Sequence, residues 1–335
     1  MSKLIALFSL ITILCVSIAA QDQIQGGKSQ QKDFTVRVDT SLVNVPIAVL
    51  TRDGKFISNL RRDNFRVFED GVEQEITHFK DTDEPFTVVL LLDISDSAKI
   101  KFQEIKDSAI AFLDQLRSQD RALIVTFDAK ATVIIKATSS KNDLRTAINR
   151  IQSGSGTSVY DAVEMTFREQ LNKIQGRKAI VMFSDGVDQH SHQATSESTL
   201  ALAEEQDAPV YIIRYDTYEE GTRLQIPGVR NMASIEIREG PTKKDYELAQ
   251  QYLHALSDVS GGRYYYADKP ANLNQSFARI AEELRHQYVI GYYPTNLAAT
   301  KKRREIKVKV DAPNSVIRSR RNYVYKTSTD NSTKP

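Results

Sequence analysis

Cysteine is almost missing from this chain of 335 residues, and the one present, Cys15, lies inside an apolar amino-terminal run. Beyond that run, disulfides, thiolate catalysis and zinc–sulfur sites are excluded, so stability rests on the hydrophobic core. Glycine and proline are scarce, at 14 and 9 residues. Long apolar runs are scarce as well. Residues 4–16 form one, short for a spanning helix, and no second run of that kind follows. Excess charge is missing too: a net charge of +2 gives no reason to expect nucleic-acid binding. What is present is an ordinary globular composition, 41% hydrophobic and 26% charged, with enough length for about two domains.

The amino terminus has the form of a secretory signal peptide over residues 1–20. Lys3 supplies the positive start, residues 4–16 the apolar stretch, and Ser17, Ala19 and Ala20 the small residues near a cleavage point. Leu14 is too bulky for the small residue that a lipoprotein site wants before Cys15. The protein is therefore expected to be exported, to the periplasm, the cell surface or the medium. Residues 21–33 read as a flexible polar leader, and 327–335 as a disordered tail. Charge is unevenly placed. From Arg285 onward there are twelve Lys/Arg against three Asp/Glu, a balance of +9, which leaves −7 for the rest of the +2 total. The expectation for these basic residues is solvated edge strands, where they block sheet-to-sheet pairing.

Residues 34–82 alternate apolar and polar with period two. They are broken at Asp53-Gly54 and Asp70-Gly71, so they read as about four strands with tight turns. From Phe86 the rhythm becomes strand and helix. Strands are expected at 86–93, 121–127, 131–137, 178–183, 209–215 and 263–266. Helices are expected at 100–116, 142–151, from about 157, and at 196–206, 246–259 and 273–285. The turn at 128–130 makes 131–137 an antiparallel edge strand. After Arg285 strands return at 287–293, 304–310 and 316–325. The fold class is thus α/β, a doubly wound, mostly parallel sheet over 86–286. It is inserted into a small β-sandwich made of 34–82 and 287–326. Residues 217–244 form a long insertion, either a functional loop or a spacer.

One string is more informative than the rest. Residues 86–97, FTVVLLLDISDS, run apolar and then end in Asp93, Ser95 and Ser97, each one residue apart. Such a run reads as a strand buried on both faces of a parallel sheet. Its carboxyl end is where open α/β sheets hold ligands. A carboxylate and two hydroxyls there are oxygen donors suited to a hard cation. Two further loops converge on the same edge: Gly156-Thr157, after Ser153-Gly154-Ser155, and Ser184-Asp185-Gly186.

These three pieces, in this order, resemble the von Willebrand factor A domain and its metal-ion-dependent adhesion site. That pattern is D-x-S-x-S, then a Thr after a Gly-rich loop, then an Asp ending the central strand. The resemblance implies that Ser95 and Ser97 bind a cation through their hydroxyls, and that Thr157 binds directly or through water. It implies that Asp93 and Asp185 stand behind them, accepting hydrogen bonds from coordinated waters. The implied metal is magnesium or manganese, ahead of calcium. Many members have Gly between the serines where this chain has Asp96, a carboxylate able to tighten metal binding or to repel an acidic ligand. Asp188 also lies near the site and reads as a solvated loop residue. The flanking strings FRVFEDGVEQEITHF and YVIGYYPTN resemble exported von Willebrand factor A-related proteins of Acidobacteria.

Competing readings find less support. A haloacid-dehalogenase phosphatase needs a second Asp two residues after the first, where this chain has Ser95. A dinucleotide fold wants G-x-G-x-x-G after its first strand, which DISDS lacks. The Ser/Gly loop has no Gly-Lys-Ser/Thr ending. His190 and His192 form H-x-H without a supporting Glu or third His, and read as a polar loop; His78, His254 and His286 are isolated. The tyrosines of 263–266 and 288–293 read as packing. The expected function is a non-enzymatic, adhesion-type binding protein that engages a protein ligand through the metal. The alternatives are a structural component of an envelope complex and, more weakly, a hydrolase.

Overall fold

The structure is a computed structural model, and it describes residues 42–82, 84–215, 217, 240–267, 269–296 and 302–325. The expected signal peptide, leader and tail, residues 34–41 of the expected β region, and residues 218–239 of the insertion lie outside the described residues.

The central sheet has six strands: β5 (Phe86–Asp93), β6 (Arg121–Phe127), β7 (Ala131–Thr138), β8 (Arg177–Phe183), β9 (Val210–Arg214) and β10 (Arg263–Tyr266). Their order is β10-β9-β8-β5-β6-β7. All pairs are parallel except β6 with β7, the antiparallel edge hairpin read from the sequence. Every residue of β5 is buried, as expected of a strand covered on both faces. Val88, Leu90 and Leu92 face one core and Val89 and Leu91 the other, so the pleat feeds two layers in alternation. On the first face lie α1 (Phe102–Gln115), α2 (Lys141–Arg150) and α6 (Pro270–Arg285), with Phe112 tilted against Phe277 at 5.4 Å. On the second lie α3 (Val159–Met165), α4 (Ser196–Glu205) and α5 (Lys243–Ser260). Helix α5 starts three residues before its expected apolar stripe. Thr242 accepts from the Asp245 amide at 3.4 Å while Asp245 accepts from the Thr242 amide at 2.7 Å, a reciprocal cap.

The remaining strands form two four-stranded sheets. Those before the α/β region are β1 (Val43–Thr51), β2 (Phe65–Glu69), β3 (Val72–Gln74) and β4 (Ile76–Lys80). Those after it are β11 (Gln287–Tyr292), β12 (Arg303–Val310), β13 (Ser315–Ser319) and β14 (Asn322–Val324). The orders are β13-β1-β11-β4 and β14-β12-β2-β3, so each sheet mixes both ends of the chain. One core joins them, from Val45 and Ile47 of β1 through Val67 of β2 to Tyr288 and Tyr292 of β11 and Ile306 of β12. The observed fold is therefore the expected α/β sheet with flanking antiparallel sheets.

Three expectations change. The stretch 316–325 is two strands in different sheets, and β3 and β4 are likewise separated by a corner. Asp53-Gly54 makes a turn, but only a single bridge, Leu50 to Phe56, follows it. The basic carboxyl region is not simply a solvated edge. Strand β12 lies inside its sheet and Arg304 is fully buried. Arg320 is buried as well, donating to the carbonyls of Gln206 at 2.8 Å and Asn44 at 2.5 Å.

The chain passes between the two parts twice, at 81–85 and at His286. One side chain touches both passages. Arg177, the first residue of β8, donates to the carbonyls of Thr82 and Glu84 before β5, and to that of Leu284 at the end of α6.

Candidate metal centre

Because β5, β8 and β9 are parallel, their carboxyl ends meet at one edge of the sheet, which brings Asp93, Ser184-Asp185 and Thr217 together. Asp93 is fully buried. Its Oδ1 accepts from the Ser95 amide at 3.0 Å and its Oδ2 from the Ser184 hydroxyl at 2.6 Å. Ser97 opens a short 3₁₀ turn (Ser97–Lys101) that leads into α1. That turn sets the Ser95 and Ser97 hydroxyls 3.0 Å apart. Asp185 is buried, with Oδ1 on the Val187 amide at 3.0 Å and Oδ2 on the Thr217 hydroxyl at 2.6 Å. Thr217 in turn lies 3.0 Å from the Tyr246 hydroxyl.

Thr157 is carried by the loop between α2 and α3. Two glycines let this loop pass close to its neighbours. A Cβ at Gly154 would fall 2.1 Å from Oδ2 of Asp128, and Gly156 holds φ +77. Backbone bonds tie the loop down, from the Gly154 amide to Ile94 O at 2.7 Å, from Ala129 to Ser155 at 3.1 Å, and from Ser158 to Asp128 at 2.7 Å. Ser97, Thr157 and Asp185 line one cleft of about 220 Å³, with Asp96, Val187 and Tyr246 among its other walls.

The five residues named from the sequence, Asp93, Ser95, Ser97, Thr157 and Asp185, thus sit on the three loops at one edge. Asp96 points outward, with its side chain 54% exposed. It pairs with Lys99, and its Oδ2 accepts from the Ser155 hydroxyl at 2.8 Å, which ties the first loop to the second. Asp188 is partly buried and turned toward α3 rather than solvated. Its Oδ1 accepts from the Val159 amide at 2.7 Å and from the Ser191 hydroxyl at 2.5 Å. Sequence reasoning passed over Ser184, Thr217 and Tyr246. Ser184 stood beside Asp185 in the motif already quoted. The other two come together only through the fold.

The donor set fits a divalent cation. Burial, with the Asp185 charge beside it, pushes the Asp93 carboxyl up to about 7. Burial likewise raises Asp185, against the opposing pull of the Thr217 hydroxyl, the Val187 amide, the Ser97 hydroxyl and the Arg214 charge. Two carboxyls that resist ionisation, behind two converging hydroxyls at the mouth of a cleft, leave room for added positive charge. Tyr215 is fully buried, with its hydroxyl near Ser97 and both carboxylates, and burial raises it well above its ordinary range.

Residues 88–187 match the von Willebrand factor type A domain family. An uncharacterized protein of Synechocystis is 21% identical over 179 residues, covering 52% of this chain and 42% of that one. A UPF0353 protein of Mycolicibacterium gilvum is 20% identical over 224 residues, covering 61% of this chain and 62% of that one. The chain thus spans less than two thirds of either relative. Among solved structures, a von Willebrand factor type A protein from Catenulispora acidiphila is 12% identical with a TM-score of 0.47, covering 90% of this chain and 78% of that one. A likeness at that level carries no functional information. The family match spans β5 to β8 and contains every residue that the sequence places at this edge: residues 88–187 are similar to the von Willebrand factor type A domain family.

Proposed function

We propose that Ser95, Ser97 and Thr157 hold a divalent cation, magnesium or manganese, with Asp93 and Asp185 behind them. We read the chain as an exported, non-enzymatic binding protein that takes a carboxylate of a protein ligand at this edge. The family supports the coarser part, since von Willebrand factor A domains serve in protein interaction and adhesion. The observation that carries the finer part is the pair of hydroxyls 3.0 Å apart over two buried carboxyls. Bound there, the cation would offer an electron-poor centre to an incoming carboxylate oxygen. The chain's own residues do the rest. Ser184 and Thr217 hold the two carboxyls in place, and the cleft admits a side chain. Lys99 offsets the charge of Asp96, which lowers its repulsion of an acidic ligand. In this reading 86–286 is the recognition domain, 34–82 with 287–326 is its platform, and 1–20 directs export. Among the described residues no helix is long and apolar enough to cross a membrane.

Thermal melting with Mg²⁺, Mn²⁺ or EDTA tests the proposal. The wild-type midpoint is expected to rise with either metal and that of Ser95→Ala to stay put. A wild-type midpoint indifferent to metal and chelator sinks it. A second reading, assembly through a metal-independent surface, is favoured by exposed apolar side chains on edge strands: Val72 on β3, Val316 on β13 and Tyr266 on β10. Partner capture unaffected by EDTA and by Asp93→Ala would select that reading.

A further inference from the structure

The H-x-H string has a place in the structure that a polar loop does not explain. His190 is exposed at its rim, yet its Nδ1 lies 3.2 Å from the Thr157 amide and accepts its hydrogen. The main chain beside it closes the other side of the same residue. The amides of Gln189 and His190 both donate to the Thr157 carbonyl at 2.9 Å. Both backbone groups of Thr157 are therefore held by residues 189 and 190. The ring also packs against Gly156, where an added Cβ would fall 3.0 Å from Nδ1.

The ring's own position is well braced. Asp188 on one side bonds the Val159 amide at 2.7 Å, and on the other side the Ser191 hydroxyl accepts from the Asp161 amide at 3.1 Å. Asp161 returns the contact by accepting from the amides of His192, Gln193 and Ala194, at 3.0, 3.1 and 2.8 Å. His190 thus reaches Thr157 from a fixed base. Thr157 needs such a partner. Ser95 and Ser97 follow directly from a central strand, whereas Thr157 sits in an irregular loop with its side chain nearly buried. A buried amide left without an acceptor turns its peptide toward another one. Turning that peptide would swing the Thr157 hydroxyl away from the cleft it lines.

We propose that His190 is a positioning residue of the metal centre, its Nδ1 holding the Thr157 amide so that the Thr157 hydroxyl faces the cation. The proposal rests on the metal reading given above. Because the acceptor is Nδ1, the ring's proton resides on Nε2. Asparagine places an amide oxygen at the Nδ1 position, whereas glutamine places one a bond further out.

The test is calorimetric titration of MgCl₂ into the purified full chain, as wild type and as His190→Ala, His190→Asn and His190→Gln. Loss of a hydrogen bond behind a metal ligand costs on the order of tenfold in affinity. His190→Ala and His190→Gln are expected to weaken Mg²⁺ about that much, and His190→Asn to return close to wild type. Hydrogen exchange at the Thr157 amide, read in EDTA, is expected to quicken in the Ala and Gln variants and not in the Asn variant. Equal Mg²⁺ affinity in wild type and His190→Ala overturns the role of His190 alone. So does an Asn variant as weak as the Ala variant. A wild-type chain that takes up no Mg²⁺ overturns the metal reading beneath it.

Discussion

Two of the buried carboxylate clusters among the described residues are treated differently. In the sandwich, Glu69 at the end of β2 meets Arg304 of β12 at 2.5 Å, and its second oxygen accepts from the hydroxyls of Tyr292 at 3.0 Å and Tyr323 at 2.6 Å. The guanidinium also lies 3.9 Å from the centre of the Tyr325 ring. Charge and hydrogen bonds are supplied from within. At the sheet edge, Asp93 and Asp185 receive hydroxyls and backbone amides, and each carboxyl is held above its ordinary range by burial. In the first cluster the carboxylate finds its charge and its hydrogen bonds within the fold, while Nε and Nη2 of Arg304 stay without a hydrogen-bond partner among the described residues, and the cluster reads as structural. The second is short of positive charge, in keeping with the proposed cation site.

Breaking the internal pair is expected to have the largest effect. Glu69→Ala leaves the Arg304 charge buried and unpaired, a loss of about 3–5 kcal/mol in urea unfolding, independent of Mg²⁺. Replacing both partners together, Glu69→Leu with Arg304→Met, is expected to restore most of that stability; no recovery would mean that the cluster does more than neutralise itself. At the sheet edge, Ser97→Ala is expected to remove the metal's contribution, about 2.7 kcal/mol when Mg²⁺ stands at a hundred times its Kd, and to leave the metal-free midpoint unchanged.

Asp93→Asn is expected to go the other way in EDTA, stabilising the metal-free chain by on the order of 2 kcal/mol at pH 8. The sign follows from the carboxyl being raised to about 7 in the fold. Between the ordinary carboxylate range and that value the folded chain binds a proton that the unfolded chain does not, so wild-type stability falls as pH rises through this window. Urea unfolding in EDTA from pH 4 to 8 is expected to show this slope in wild type and to show it flattened in Asp93→Asn. An unchanged slope would remove the contrast drawn here between the two clusters. The smallest effect is expected from Asp96→Gly, whose carboxylate faces solvent and pairs with Lys99. Titration should show Mg²⁺ affinity within about threefold of wild type, since an exposed pair contributes little.

Local patterns carried much of the fold. The unbroken apolar run of β5, the alternation of strand and helix, and the short turn before β7 each act over a few residues, so they can be read before folding. The convergence of Asp93 and Asp185 at one sheet edge was legible for the same reason: these residues follow strand ends, and parallel strands bring those ends together. What was missed depends on distance. Nothing near 316–325 says that the chain changes sheets between Ser319 and Asn322, because that corner is set by pairing with β1 and β12. Arg304 and Arg320 read as surface charge until Glu69 and the carbonyls of Gln206 and Asn44 appear beside them. His190 showed no partner at any regular spacing because its partner lies 33 positions earlier. The early start of α5 is different: Thr242 and Asp245 carried its signal in plain view.

Arg177 gives the molecule a mechanical character. The guanidinium that binds the Thr82, Glu84 and Leu284 carbonyls fastens both chain passages to the first residue of β8, and that strand's far end runs into Ser184 and Asp185. The two passages cannot part independently, so the joint behaves as a rivet rather than a swivel. Tension applied across the joint reaches a strand whose opposite tip bears Ser184 and Asp185 of the proposed metal site.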